Sequence, residues 1–214
     1  MATLLNQETR DQIKEFLGDM QEPLTMVLFT QEGPCETCKE TRQLLEEVSA
    51  LNDKISFVEK DIKQDASEAA LYDITLTPSF VFLNAQNEYH GVKFNGIPAG
   101  HEINSFLSAI LDVSGSKFDI SPAVLKRIEN IQKDVNIKVF VTLTCPHCPG
   151  AVQSAHRLAM LNKHVTGEMI EAQTFYELSQ KFNVSGVPKI IINDTLELVG
   201  NQPLEAFLDQ IESL

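Results

Sequence analysis

Two Cys-x-x-Cys pairs, each followed 43 positions later by a proline that opens an apolar run, constrain this chain more than any other feature. The first is Cys35-Glu36-Thr37-Cys38, with Pro78 ahead of Ser79-Phe80-Val81-Phe82. The second is Cys145-Pro146-His147-Cys148, with Pro188 ahead of Lys189-Ile190-Ile191-Ile192. A strand-like run precedes each pair, Met26 to Phe29 in one half and Val139 to Val141 in the other. A helical apolar period follows each, on Leu44, Leu45 and Val48 and on Val152, Ala155, Ala159 and Met160. Strand, cysteine pair, helix, proline and strand recur in the same order, so the chain reads as a two-fold internal repeat.

The remaining segments complete the repeating unit. Ile55 to Val58 and Glu168 to Glu171 read as second strands, Glu68 to Tyr72 as a short helix, and Gly91 to Gly96 and Leu196 to Val199 as closing strands. Ile103, Phe106, Leu107, Ile110 and Leu111 mark an amphipathic helix. Pro203 to Ser213 reads as the last helix. A helix precedes each half, Asn6 to Leu17 and Pro122 to Gln132, the latter opened by Ser121-Pro122. The polar stretch Ser114-Gly115-Ser116 places the boundary, giving domains 1–115 and 116–214. So short a linker implies that the halves pack together.

Charge narrows the function. Asp and Glu number 30 against 17 Lys and Arg, a net −13, which argues against nucleic acid or anionic membrane as a partner. No apolar run approaches the ~20 residues of a membrane helix. The N-terminal segment lacks a basic region followed by an apolar core, so a cytoplasmic location is expected. With 43% hydrophobic residues the core needs no covalent staples. Paired cysteines in such a chain are then catalytic or metal-binding.

Geometry favours redox chemistry. Cysteines three apart on a first helical turn stand about 5–6 Å apart, within reach of a disulfide that forms and breaks with little backbone movement. The positive helix N-terminus stabilises a thiolate on the leading cysteine. Cys35 and Cys145 are therefore the expected exposed attacking thiols, and Cys38 and Cys148 the resolving ones. A four-cysteine zinc site has about 15–20 residues between its pairs, whereas 106 intervene here. No metal site is expected, although a cluster-binding module stays open as an alternative. No glycine-rich nucleotide fingerprint follows a strand, so no cofactor is expected and electrons come from a separate reductase. His90, His101, His156 and His164 read as ordinary surface or helix-face residues, and Glu40 to Glu47 as a solvated helix face.

A β-α-β run followed by β-β-α, with Cys-x-x-Cys at the first strand-to-helix junction, is the thioredoxin arrangement. The fold class expected is α/β, two tandem thioredoxin-like domains, each a mixed central β-sheet flanked by α-helices. The sequence resembles the glutaredoxin-like protein disulfide oxidoreductases of archaea and thermophilic bacteria. The resemblance is carried by Val139 to Pro149, Asn183 to Ile190 and Gly96-Ile97-Pro98-Ala99-Gly100-His101-Glu102, and departs at His147, where that family carries Tyr. It implies thiol–disulfide exchange on protein disulfide or dithiol substrates. It also implies cis peptide bonds at Thr77-Pro78 and Val187-Pro188, with Thr77 and Val187 offering backbone to an extended substrate. A thioredoxin-reductase-like flavoprotein is the partner expected to supply electrons. Thioredoxins keep a buried carboxylate in the strand before the pair. Phe29 and Val139 stand near that place here, leaving Glu168 as a candidate proton carrier beside the reading of a solvated strand residue. The N-terminal domain of alkyl hydroperoxide reductase flavoproteins is also similar, which makes an electron-transfer adaptor to a peroxiredoxin the second reading. Those domains typically keep one cysteine pair where this chain keeps two. The two pairs read as unequal. Glu36 disfavours a thiolate at Cys35, while Pro146 and His147 favour one at Cys145. Cys-Pro-His-Cys is similar to the centre of strongly oxidising periplasmic dithiol enzymes.

Overall fold

The computed structural model describes residues 3–214; Met1 and Ala2, at the head of the N-terminal segment, lie outside it. In chain order the first half comprises α1 (Gln7–Phe16), β1 (Leu24–Thr30), α2 (Cys38–Ser49), β2 (Ile55–Asp61), α3 (Ala66–Leu71), β3 (Ser79–Leu83), β4 (Tyr89–Asn95) and α4 (Ile103–Val113). The second half comprises α5 (Pro122–Glu129), β5 (Val135–Val141), α6 (Cys148–Leu161), β6 (Val165–Glu171), α7 (Tyr176–Lys181), β7 (Lys189–Ile192), β8 (Leu196–Val199) and α8 (Leu204–Glu212). Local chemistry sets the helix starts. Asn6 caps α1 by accepting from the Thr9 amide at 2.8 Å, and Ser121 caps α5 with Pro122 in its first turn.

The strands join in one sheet of order β2-β1-β3-β4-β6-β5-β7-β8. Within each half the order and directions are those of a thioredoxin fold, and the halves meet where β4 pairs in parallel with β6, Val92 to Asn95 beside Gly167 to Ile170. One face carries a continuous apolar core to which α1, α2, α4, α5, α6 and α8 all contribute, including Leu45, Phe106, Ile128, Val152 and Phe207. At its centre Phe80, Phe82, Phe94 and Phe106 form an aromatic cluster. The other face carries two small clusters, one under α3 around Val27, Phe29 and Val81 and one under α7 around Phe140, Ile170 and Ile191.

Two expectations change at the seam. Glu168 is neither solvated nor placed at a cysteine pair. It is 7% exposed on β6, accepts from the Asn95 amide at 2.9 Å and from Asn136, and faces Lys93 at 3.8 Å. Its oxygens are committed to joining β4, β5 and β6, because β6 has become an interior strand. His156, read as an ordinary helix-face residue, is 2% exposed under Phe94, and its Nε2 lies 3.2 Å from the Lys93 carbonyl. Burial pushes its imidazole down to about 4, so it stays neutral. Glu168→Ala would leave Lys93 and Asn95 buried without their carboxylate. We expect it to cost about 3 kcal/mol of stability, read as a lower midpoint in urea unfolding.

Candidate functional site

Strand directions put both cysteine pairs at one end of the sheet. β1 is antiparallel to β3, β3 to β4, and β4, β6 and β5 run parallel, so β1 and β5 point the same way. Each cysteine turn leaves the C-terminal end of its strand. Three strands separate β1 from β5, which spaces the two sites by roughly 19 Å at the usual strand separation. At that distance they cannot form a single four-cysteine metal site, whose sulfurs all lie about 2.3 Å from one ion.

Both pairs are disulfide-bonded, Cys35 to Cys38 and Cys145 to Cys148, with Cα atoms 5.5 Å apart in each. The second cysteine of each pair opens its helix, Cys38 for α2 and Cys148 for α6, and the first stands one turn ahead. Cys38 is 7% and Cys148 0% exposed. Cys35 is half-buried. Cys145 is only 8% exposed, more enclosed than an exposed attacking thiol was expected to be. Its neighbours Pro146 and His147 are exposed, as is Glu36 beside Cys35.

Both X-Pro bonds, Thr77-Pro78 and Val187-Pro188, are cis. Strand register brings them beside the cysteine turns. Phe29 pairs with Ser79 and Phe140 with Lys189, so Pro78 lies next to the end of β1 and Pro188 next to the end of β5. Each proline carbonyl accepts an amide from the closing strand of its half, Gly96 to Pro78 and Gly200 to Pro188, both at 2.9 Å. Thr77 and Val187 are half-buried and the prolines buried.

A thioredoxin domain model matches residues 135–213. The alkyl hydroperoxide reductase protein AhpF of Staphylococcus aureus is 31% identical over 210 residues, 98% of this chain and 38% of that protein. Its counterpart in Staphylococcus epidermidis is 30% identical over 190 residues, 89% of this chain and 34% of that protein. The chain thus spans well under half the length of the curated relatives it matches. Among solved structures, AhpF of Enterococcus faecalis superposes with a TM-score of 0.91 at 29% identity, covering 97% of this chain and 99% of that one. A protein disulfide oxidoreductase from Aeropyrum pernix superposes with a TM-score of 0.90 at 26% identity, covering 99% and 94%. Over nearly its whole length the chain is thus similar to tandem thioredoxin-fold proteins, among them a protein disulfide oxidoreductase. No described helix is long and apolar enough to cross a membrane.

One residue of this chain escaped the sequence reading. Glu102 ends a 3₁₀ turn, Gly100–Glu102, that packs against α6. It is 0% exposed. Its Oε2 accepts from the Ser105 hydroxyl, while its Oε1 is buried without a partner. Burial pushes the carboxyl up to about 7, against the smaller opposing effect of Ser105. A buried carboxyl raised in this way, in a turn packed against the helix that Cys148 opens, is a candidate proton carrier. The only sequence signal was its place in the Gly96 to Glu102 segment that carries the family resemblance, where no role was assigned to it.

Proposed function

We propose that this chain exchanges dithiols for disulfides in protein substrates, with Cys145 and Cys148 as the principal pair and Cys35 and Cys38 as a second. The observation that carries the reading is the repetition, at one end of one sheet, of a closed Cys-x-x-Cys disulfide beside a cis-proline. In the reducing direction the Cys145 thiolate attacks a substrate disulfide, forming a mixed disulfide and releasing one substrate sulfur as thiolate. Cys148 then gives up its proton and attacks the Cys145 sulfur, which releases the second substrate sulfur and leaves the protein pair oxidised. Two electrons pass to the substrate; one of its sulfurs takes the proton given up by Cys148 and the other takes one from water. Glu102 takes the Cys148 proton and returns it toward the departing thiolate. The backbone of Thr77 and Val187 lines up the extended substrate. No cofactor is part of this cycle, and a thioredoxin-reductase-like flavoprotein restores the dithiols.

A second reading follows from similarity along 98% of the chain to relatives named for alkyl hydroperoxide reduction. Here the accepting disulfide belongs to a peroxiredoxin and the chain is an electron-transfer adaptor. Insulin turbidity with dithiothreitol tests the first reading. The wild type is expected to shorten the lag, and no acceleration overturns it. Coupled peroxide consumption with a purified peroxiredoxin tests the second, with rates exceeding insulin reduction by orders of magnitude favouring the adaptor.

A further inference from the structure

The turn that carries Cys145 is held by the other half of the molecule. The Cys145 amide donates to the Thr142 carbonyl at 3.1 Å, which leaves the Leu143 carbonyl within the turn for another donor. That donor is the amide of His101, at 2.9 Å. Gly100 is seated against the same carbonyl. Its φ is +58°, and a Cβ there would stand 2.3 Å from the Leu143 oxygen, so only glycine fits without a backbone shift. At the other end of this segment the Gly96 amide bonds the Pro78 carbonyl at 2.9 Å. Residues 96–101 therefore form a strap from the proline of the first site to the cysteine turn of the second.

The first cysteine turn supplies an internal contrast. The cysteine pairs are offset by 110 positions, so Gly33 is the counterpart of Leu143. Gly33 also has a positive φ, +94°, yet no described atom would lie within 4 Å of a Cβ there. That turn closes on itself, with Gln31 Nε2 donating to the Pro34 carbonyl.

We propose that Gly100 and His101 are positioning residues of the second redox site, fixing the Leu143 turn and thereby the place of Cys145 ahead of α6. This rests on the reading of Cys145 and Cys148 as a redox pair. Stabilisation of a thiolate by helix amides and dipole falls off within one turn. A Cys145 that drifts from its place loses that stabilisation, its thiol becomes less acidic, and its disulfide becomes a weaker oxidant. Because the strap belongs to the first half, the second site is incomplete without it.

The test uses the full chain carrying Cys35→Ser and Cys38→Ser, so that only the second pair reacts. Gly100→Ala in this background is expected to shift the glutathione equilibrium toward the disulfide by about tenfold, with the Cys145 thiol titrating at higher pH. Gly33→Ala, which strains a backbone without touching Leu143, is expected to leave both unchanged. Equal effects of the two substitutions, or no effect of a folded Gly100→Ala, overturn the proposal. Should Gly100→Ala not fold, amide hydrogen exchange in the parent background decides. The His101 amide is expected to be protected, by a factor that differs about tenfold between the oxidised and reduced second pair. Free exchange of that amide, or protection blind to redox state, overturns it. Failure of the underlying redox reading is separately visible, as a parent disulfide that does not exchange with glutathione.

Discussion

Cys145→Ser is expected to remove roughly nine-tenths of the disulfide-exchange activity, while Cys35→Ser removes the lesser part, because the two pairs differ in oxidising strength. Glu36 stands next to Cys35 and brings a negative charge to the sulfur that must ionise, which disfavours the thiolate. Next to Cys145 are Pro146, preset for a helical start, and His147, which adds an N–H donor. Burial of Cys145 opposes its thiolate, and the held turn works against that loss by fixing the sulfur ahead of α6. Cys145 is 8% exposed in a turn held by His101, and Cys35 is half-buried in a turn with open space at Gly33. A more stable thiolate stabilises the reduced pair and makes the disulfide the stronger oxidant. Separate glutathione equilibria for the Cys35→Ser/Cys38→Ser and Cys145→Ser/Cys148→Ser variants check this. Matching potentials, or a less acidic thiol at Cys145 than at Cys35, would refute it.

How much of this was legible in the sequence depends on whether the information is local. The cysteine pairs, the prolines 43 residues beyond them and the surrounding apolar runs are local or repeated, and they sufficed to place Cys35, Cys38, Cys145, Cys148, Pro78 and Pro188. The closing of two sheets into one at β4 and β6 was not written in either strand alone. An alternating strand shows which residues share a face, but whether its edge stays open or gains a neighbour is a tertiary matter. Glu168 was therefore taken for a solvated or proton-carrying acid when it is a buried tie between halves. Glu102 was missed for the complementary reason. Its turn packs against α6, which opens some 46 positions further on, so the chain beside it does not mark it as enclosed.

Glu102→Gln is expected to slow disulfide exchange at the second pair by about 100-fold, the scale of a lost general acid–base group. Gln keeps the shape and the bond from Ser105 but cannot accept and return the Cys148 proton. The pH profile carries the sharper signature. With the carboxyl pushed up to about 7 by burial, the wild-type rate should show an inflection near neutrality that the variant lacks. Glu168→Gln, at the seam, should keep that inflection. Stability moves in the opposite sense. A carboxyl whose folded value is raised binds its proton more tightly in the native state, so its favourable contribution is fully present below about 4.5 and is lost as pH rises toward 7. Above 7 the wild type holds a buried, charged Glu102 whose Oε1 has no partner, a penalty of up to about 3 kcal/mol that Gln does not carry. The variant should therefore be slower yet more stable than the wild type at pH 8, and nearly equal to it in stability at pH 4. Urea unfolding at the two pH values, set beside the rate profiles, decides the matter. A stability difference that does not change with pH would mean that Glu102 titrates as an ordinary surface acid and holds no proton for the reaction.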